Sequence, residues 1–466
     1  MISLFHLSVQ TRKIAVLDGV RAFACFSVIS YHIHYLLSRV YSFGPLIGKL
    51  AFALAMAGWS GVTLFFVLSG FLLFMPYAKA LLFEQQWPSW RTFYLRRALR
   101  ILPGYYLALF LLVMLSHREY LAFDHVKNLA VFMTLLMDSF HRTYQQIDGP
   151  FWTLAVEWQY YMLLPLIALG FSLVVRLGRS FAQRLALIIV CLLGMIGWGL
   201  FSHAFGSYYV AHPAATVLVP RPIFNIFLAL TYGQSGKYYE DFAVGMLVST
   251  LYIASRNAST VSAITQFLRR HCRWFWGCGV GLLFFLCVWY VFPWKTFLTP
   301  AIGPHALLVE PGFALGFGLC VLALLFGSGI YKRVLSWRPI CSFGDMSYSL
   351  YIWHLPILLL FKDVVLGSMP GLGFWHAYGL YWLCVAGAVI PFAFLCYRFV
   401  EMPGMNLAHR NRQKEARARM QAASLVDKVS NRGEVVDVGR GEVAAERTAL
   451  VREAAIIRKV RLVMYK

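Results

Sequence analysis

Charged residues are scarce, and acids are scarcest. Asp, Glu, Lys and Arg make up 13% of the 466 residues, where a soluble chain carries about 25%. Asp and Glu number 20 against 42 Lys and Arg, a formal net charge of +22. With 60% of residues hydrophobic, a water-soluble core cannot hide them all. Long uncharged runs of about 20 residues need lipid as solvent. This excludes a soluble enzyme, a disordered protein and a small disulfide scaffold. Cysteine motifs are also lacking. The nine cysteines lie mostly inside apolar runs (Cys25, Cys191, Cys287, Cys320, Cys384, Cys396), with no C-x-x-C and no Cys/His ligand spacing. They read as small apolar packers, and no metal centre is expected. No cleavable signal is expected, because the first apolar run holds Asp18 and Arg21 and no A-x-A site follows it. No repeat relates the two halves, which disfavours the common transporter folds.

What is present is a series of apolar runs. Ten spans are expected, near 17–38, 58–78, 101–118, 151–174, 184–205, 238–255, 274–292, 306–329, 345–367 and 376–397. The stretch 128–140 is too short to cross and carries Asp138, so it reads as re-entrant or interfacial. With Arg12 and Lys13 inside, alternate loops collect the basic residues, among them Arg91, Arg96, Arg97, Arg100, Arg176, Arg179, Arg184, Arg269, Arg270, Lys332 and Arg333. This positive-inside bias puts both termini in the cytoplasm. The expected fold class is therefore all-α, a polytopic membrane protein with about ten transmembrane helices and a short cytosolic C-terminal tail. Residues 1–404 form the membrane domain. Residues 405–466 hold 14 Lys and Arg and 7 Asp and Glu, and form a basic tail. Its last part (Val443, Leu450, Ala454, Ile457) suits an amphipathic helix on anionic lipid or a solvated, partly helical tail.

Ionisable residues inside the spans mark function. The first span reads LDGVRAFACFSVISYHIHYLL. Arg21 and His32 are eleven residues apart, which returns them to within ~20° of one helix face and separates them by roughly 16 Å along the axis. His34 points elsewhere. Glu157, in PFWTLAVEWQYYMLLP, and His32 each lie six residues below an outer helix end, ~9 Å deep, so a His–carboxylate pair is permitted. Glu240, Asp241 and Glu310 also fall near outer helix ends. Arg96, Arg97 and Arg100 stand in FYLRRALRILPGYY, with Arg97 and Arg100 on one face. A cationic inner layer suits phosphate, and an outer layer of imidazole and carboxylates suits proton transfer at a hydroxyl. Plain alternatives exist for each: a topological anchor for the three arginines, an ion pair with Asp18 for Arg21, a structural histidine for His32, a packing acid for Glu157, and a pore-lining or interhelical hydrogen bonder for His354.

At these residues the chain resembles the acyltransferase-3 family of integral-membrane O-acyltransferases, in order and as far as about residue 404. LDGVRA with Arg21 and then His32 resembles the first-helix Arg/His motif. GVTLFFVLSGFLL (61–73) is similar to the SGF motif, FYLRRALRILP (93–103) to the basic RxxR loop, and FWTLAVEWQYY (151–161) to the W-S-L-x-x-E segment. SYSLYIWHLP (347–356) and FVEMP (399–403) resemble its last two signatures. Thr63 stands where an Asp is usual, and Thr153 where Ser is usual. No esterase-like domain is expected to follow the membrane part.

The resemblance implies a cytosolic acyl-coenzyme A donor, most often acetyl-CoA, with no metal. The implied acceptor is a hydroxyl of a glycan, glycolipid or other small molecule. It implies catalytic roles for His32, Glu157 and Arg21, and donor-phosphate binding by Arg97, Arg100 and Arg96. Acceptor contacts are expected from Tyr160, Ser69, Tyr351 and His354. His32 would act as general base or carry the acyl group, with Glu157 orienting the imidazole or holding the acceptor. The expected location is a bacterial plasma membrane, with lipid as the surrounding partner and no nucleic acid. The competing classes are a proton- or sugar-coupled transporter, and a non-catalytic scaffold whose basic tail recruits lipid or a partner.

Overall fold

Lipid leaves backbone polar groups nowhere to bond except within their own helix, and every regular element among the described residues is helical. The computed structural model describes residues 14–41, 46–256, 261–291, 308–369 and 371–408. The expected tail from residue 409 on, and the N-terminal Arg12 and Lys13, lie outside the described residues. Described residues 14–408 fall within one unit, Met1–Ala408.

The first half comprises α1 (Ala15–Ser38), α2 (Leu46–Met56), α3 (Gly61–Phe83), α4 (Trp90–Leu115), the short α5 (Val126–Met133), α6 (Phe151–Val175), α7 (Phe181–Ala211) and α8 (Arg221–Thr231). Then come α9 (Tyr239–Ala254), α10 (Val261–Arg270), α11 (Cys272–Val291), α12 (Val309–Phe326), α13 (Ile330–Leu335), α14 (Arg338–Asp345), α15 (Ser347–Val364), α16 (Phe374–Cys384) and α17 (Ile390–Cys396). Nine stretches among the described residues are long and apolar enough to cross a membrane. Eight begin or end close to expected spans. The second is longer than expected, Leu50–Phe83, because a 3-10 turn, Ala57–Ser60, joins α2 to α3.

The tenth expected span, 238–255, forms α9, a shorter helix of 16 residues whose first turn holds the buried Glu240 and Asp241. α9 is an interior helix packed on α3, α7 and α12. Glycine makes this possible. A Cβ on Gly70 would stand 2.1 Å from the Phe242 carbonyl oxygen, and one on Gly245 2.0 Å from that of Val67. Small residues thus bring the α3 and α9 backbones into direct contact.

The stretch 128–140 does not span. α5 is eight residues long, and the chain then turns to deliver Asp138 to the interior. There the Lys237 ammonium donates to Asp138 Oδ2, to Ser139 Oγ (3.1 Å) and to Gln159 Oε1 (2.8 Å), while Gln159 Nε2 donates to Asp138 Oδ1 at 2.7 Å. Burial pulls the Lys237 ammonium below the ordinary lysine range, and Asp138 opposes that shift. Breaking a buried pair strands a charge. Asp138→Asn or Lys237→Met alone is expected to destabilise the detergent-purified protein by about 3–5 kcal/mol, read as a fall in Tm. The double change Asp138→Leu with Lys237→Met is expected to recover most of it. Equal losses in single and double variants would show that the pair does not hold this loop.

Candidate active site

α1, α3, α4, α6 and α15 enclose a cavity of about 740 Å³, open mouth included. Its polar wall is built from Arg21, Ser69, Arg97, Arg100, Thr153, Glu157, Tyr161 and Tyr351. The basic loop at the start of α4 is well made: Ser89 caps it, accepting from the Thr92 N–H at 3.4 Å. About two and three turns further in, Arg97 and Arg100 face the same space, as their i,i+3 spacing requires. Arg97 Nε is buried with no hydrogen-bond partner among the described residues, and its guanidinium carbon lies 5.8 Å from the Tyr161 ring centre. Arg100 Nη1 reaches the Met405 sulfur at 3.4 Å. Arg21 does pair with Asp18, Nη1 to Oδ1 at 3.1 Å, yet still lines the cavity. The ion pair and the cavity role are therefore compatible.

Glu157 is the acid of this wall. It accepts hydrogen bonds from Ser69 Oγ and from Tyr161 Oη (2.5 Å). Tyr351 donates to Thr153 Oγ1 at 2.7 Å, because the Thr153 hydroxyl itself donates to the Pro150 carbonyl at 2.8 Å. Thr153 thus does what a serine hydroxyl would do there.

The histidines lie beyond Tyr351, whose ring centre is 5.7 Å from that of His354. His32 meets His354, not Glu157: His32 Nδ1 is 3.1 Å from His354 Nε2 and 3.0 Å from the Val28 carbonyl oxygen. His354 is fully buried, and its Nδ1 lies 2.7 Å from the Tyr351 carbonyl oxygen. A carbonyl only accepts, so a neutral His354 carries its proton on Nδ1 and offers a lone pair at Nε2. His32 then donates from Nδ1, which leaves its Nε2 as the basic atom. The permitted His32–Glu157 pair does not form; Glu157 Oε1 takes the Ser69 and Tyr161 hydroxyls.

Two further expected residues fall elsewhere. Arg96 is exposed and does not line the cavity. Tyr160 is buried against Phe242, rings parallel with centres 3.8 Å apart, and its hydroxyl has no partner among the described residues. Its neighbour Tyr161 takes the position on Glu157. Both i+3 and i+4 lie near a residue's face; here i+3 turns toward α9 and i+4 toward the cavity. Two contributors went unnoticed. Tyr348 lines the wall and donates to the Ile101 carbonyl at 2.6 Å. Glu401, in FVEMP, is fully buried and accepts from Ser349 Oγ. It is delivered by a π-helical turn, Tyr397–Glu401, of the kind often found at functional sites.

A family model described as an acyltransferase domain, acyltransferase 3, matches residues 14–398. The chain belongs to the acyltransferase-3 family. Among family relatives, it is 25% identical over 429 residues to a Bacillus subtilis protein named putative peptidoglycan O-acetyltransferase YrhL, covering 86% of this chain and 56% of that one. It is 26% identical over 410 residues to the Listeria monocytogenes peptidoglycan O-acetyltransferase OatA (83% and 55%), and 23% identical to the Staphylococcus aureus O-acetyltransferase OatA (84% and 57%). The chain thus spans somewhat more than half the length of these relatives. No solved structure matches it.

The tyrosine exchange gives a direct test. Tyr161→Phe removes one of the two donors to Glu157 and is expected to destabilise the detergent-purified protein by about 1.5–3 kcal/mol, the worth of a hydrogen bond to a charged group. Tyr160→Phe removes a hydroxyl with no partner among the described residues and is expected to leave Tm near the parent value. The reverse ranking in thermal unfolding would overturn this placement.

Proposed function

We propose that the chain is a membrane O-acetyltransferase that moves an acetyl group from acyl-coenzyme A to a hydroxyl of a cell-envelope saccharide. One observation carries this reading. Three guanidinium groups and a hydrogen-bonded carboxylate share one cavity wall, and Tyr351 on that wall packs beside the His32–His354 pair. The peptidoglycan O-acetyltransferase names of relatives support a saccharide acceptor. The basic loops support placing the arginine end and both termini at the cytoplasm.

Arg97, Arg100 and Arg21 hold the donor's phosphates; a guanidinium fork matches phosphate oxygens in pairs, and the unpartnered Arg97 Nε leaves a donor for them. The thioester lies toward the histidines. His32 Nε2 takes the proton of the acceptor hydroxyl as its oxygen attacks the thioester carbonyl. The carbon–sulfur bond breaks as the ester forms, and the coenzyme thiolate recovers a proton from His32. His354 is a positioning residue that fixes the tautomer of His32. Ser69, Glu157 and Tyr161 hold the acceptor or the donor arm between the layers, and Tyr351 closes the wall.

General-base catalysis contributes about 10²–10⁴-fold. His32→Ala is therefore expected to lower acyl transfer by that range, with expression and membrane insertion intact. Normal transfer by this variant would sink the assignment. His354→Gln is expected to lower kcat while KM for the acyl-CoA holds, the pattern of a positioning residue. Arg97→Gln is expected to raise that KM by about tenfold or more, from the loss of charge-assisted hydrogen bonds, whereas the exposed Arg96→Gln leaves it unchanged. A transporter would instead show flux across proteoliposomes without acyl-CoA consumption. Mass spectrometry of envelope saccharides from a deletion strain identifies acceptor and acyl group together.

A further inference from the structure

A second cluster of ionisable side chains lies where the chain leaves α7 and enters α9 and α12. His203 (α7), Glu240 (first turn of α9) and Glu310 (first turn of α12) each turn one ligand atom inward, and these atoms lie within 4.8 Å of one another. His203 Nδ1 stands 3.6 Å from Glu310 Oε2 and 3.8 Å from Glu240 Oε1. Both separations are too long for hydrogen bonds. Neither of those carboxylate oxygens has a hydrogen-bond partner among the described residues, and Glu240 is 1% exposed. The adjacent Asp241, fully buried beside Thr63, adds further acid to the same place. Buried carboxylates without partners are strongly disfavoured.

We infer that His203, Glu240 and Glu310 form a binding site for a first-row divalent cation such as Zn²⁺. Ligands about 2.0–2.1 Å from a tetrahedral ion lie about 3.3–3.4 Å apart, so the two His203 edges of 3.6 and 3.8 Å need closure of about half an ångström or less, and the carboxylate–carboxylate edge, within 4.8 Å, up to about 1.5 Å. Imidazole nitrogen with carboxylate oxygens favours zinc and its neighbours over Mg²⁺ and Ca²⁺, which prefer all-oxygen sets. A double positive charge neutralises both acids, and water fills the fourth position. Local packing leaves room for this set. A Cβ on Gly199, one turn before His203, would stand 2.2 Å from Glu240 Oε2, so glycine is what admits the carboxylate against α7. The three ligands come from three helices, so the ion acts as a staple across that end of the bundle. No cysteine takes part, which is why a search for Cys/His spacing passes it by. The inference stands independently of the acyl-transfer reading.

The test uses the full chain in detergent, treated with chelator and then titrated with Zn²⁺, Mn²⁺, Mg²⁺ and Ca²⁺ by calorimetry, with bound metal counted by mass spectrometry. One Zn²⁺ per chain is expected, with Mg²⁺ and Ca²⁺ at least about tenfold weaker. His203→Ala and Glu310→Gln are each expected to weaken Zn²⁺ by at least about tenfold, since even indirect supporting residues cost that much. Added Zn²⁺ is expected to raise the Tm of the parent protein and not that of Glu310→Gln. Glu310→Gln keeps the side-chain shape, so a folded, monodisperse variant is the control for His203→Ala. No Zn²⁺ bound to monodisperse parent protein would overturn the site and leave a structural acid–histidine cluster. So would Zn²⁺ affinity unchanged from the parent in both variants, or Mg²⁺ or Ca²⁺ bound as tightly as Zn²⁺.

Discussion

Arg21, Arg97 and Arg100 turn three like charges toward one cavity inside a bundle whose outside is apolar. A cation buried in such a bundle carries a penalty that at the centre of a membrane helix reaches about 2.5–3.5 kcal/mol even on the mildest scale. The surrounding structure answers that penalty piece by piece. Asp18 takes Arg21 in its own helix. Glu157 faces the Arg97 side of the wall, and Glu401 approaches the Arg100 side from the π-helical turn after α17. Each acid is in turn held by a hydroxyl or ion pair: Ser69 and Tyr161 on Glu157, Ser349 on Glu401, Arg21 on Asp18. The cations are thus partly neutralised and fixed in direction, yet one buried N–H of Arg97 is left over. A site that holds a polyanion needs this condition. Full neutralisation inside the protein would remove the attraction, and none would leave the apo state too costly to fold.

Rigid hydroxyl donors matter because the carboxylate between the layers would otherwise choose the nearest guanidinium. Ser69 and Tyr161 occupy one oxygen of Glu157 from two helices, α3 and α6. That holds the carboxylate in place on the cavity wall between α3 and α6. The histidines are then left to organise one another, with a backbone carbonyl at one end of the chain and the basic nitrogen of His32 at the other.

Much of this was legible along single helices. The eleven-residue return of His32 to the Arg21 face and the three-residue spacing of Arg97 and Arg100 follow from helical geometry alone, as does the shortness of 128–140. What needed tertiary contact was hidden. His354 lies 322 residues from His32, and no spacing within a helix announces that pairing. Tyr160 and Tyr161 are equally plausible by periodicity, and the choice depends on which side α9 packs. α9 is apolar like the other expected spans, and only in three dimensions do glycines on α3 and α9 show it packed inside the bundle. His203 gave no signal, because its partners arrive from α9 and α12.

The α3–α9 crossing links the two charged sites. α3 brings Ser69 to Glu157, and the next residue, Gly70, is where the Phe242 carbonyl presses against it. Phe242 stacks on Tyr160, which stands beside Tyr161 on α6. Two residues before Phe242, Glu240 enters the acid–histidine cluster. A backbone contact this close does not slide without moving both carboxylate environments, since packed interiors deform in steps and not smoothly. The depth of Glu157 in the arginine cavity and the position of Glu240 beside His203 are therefore set by one helix crossing. That crossing depends on the absence of a Cβ at two positions, Gly70 and Gly245.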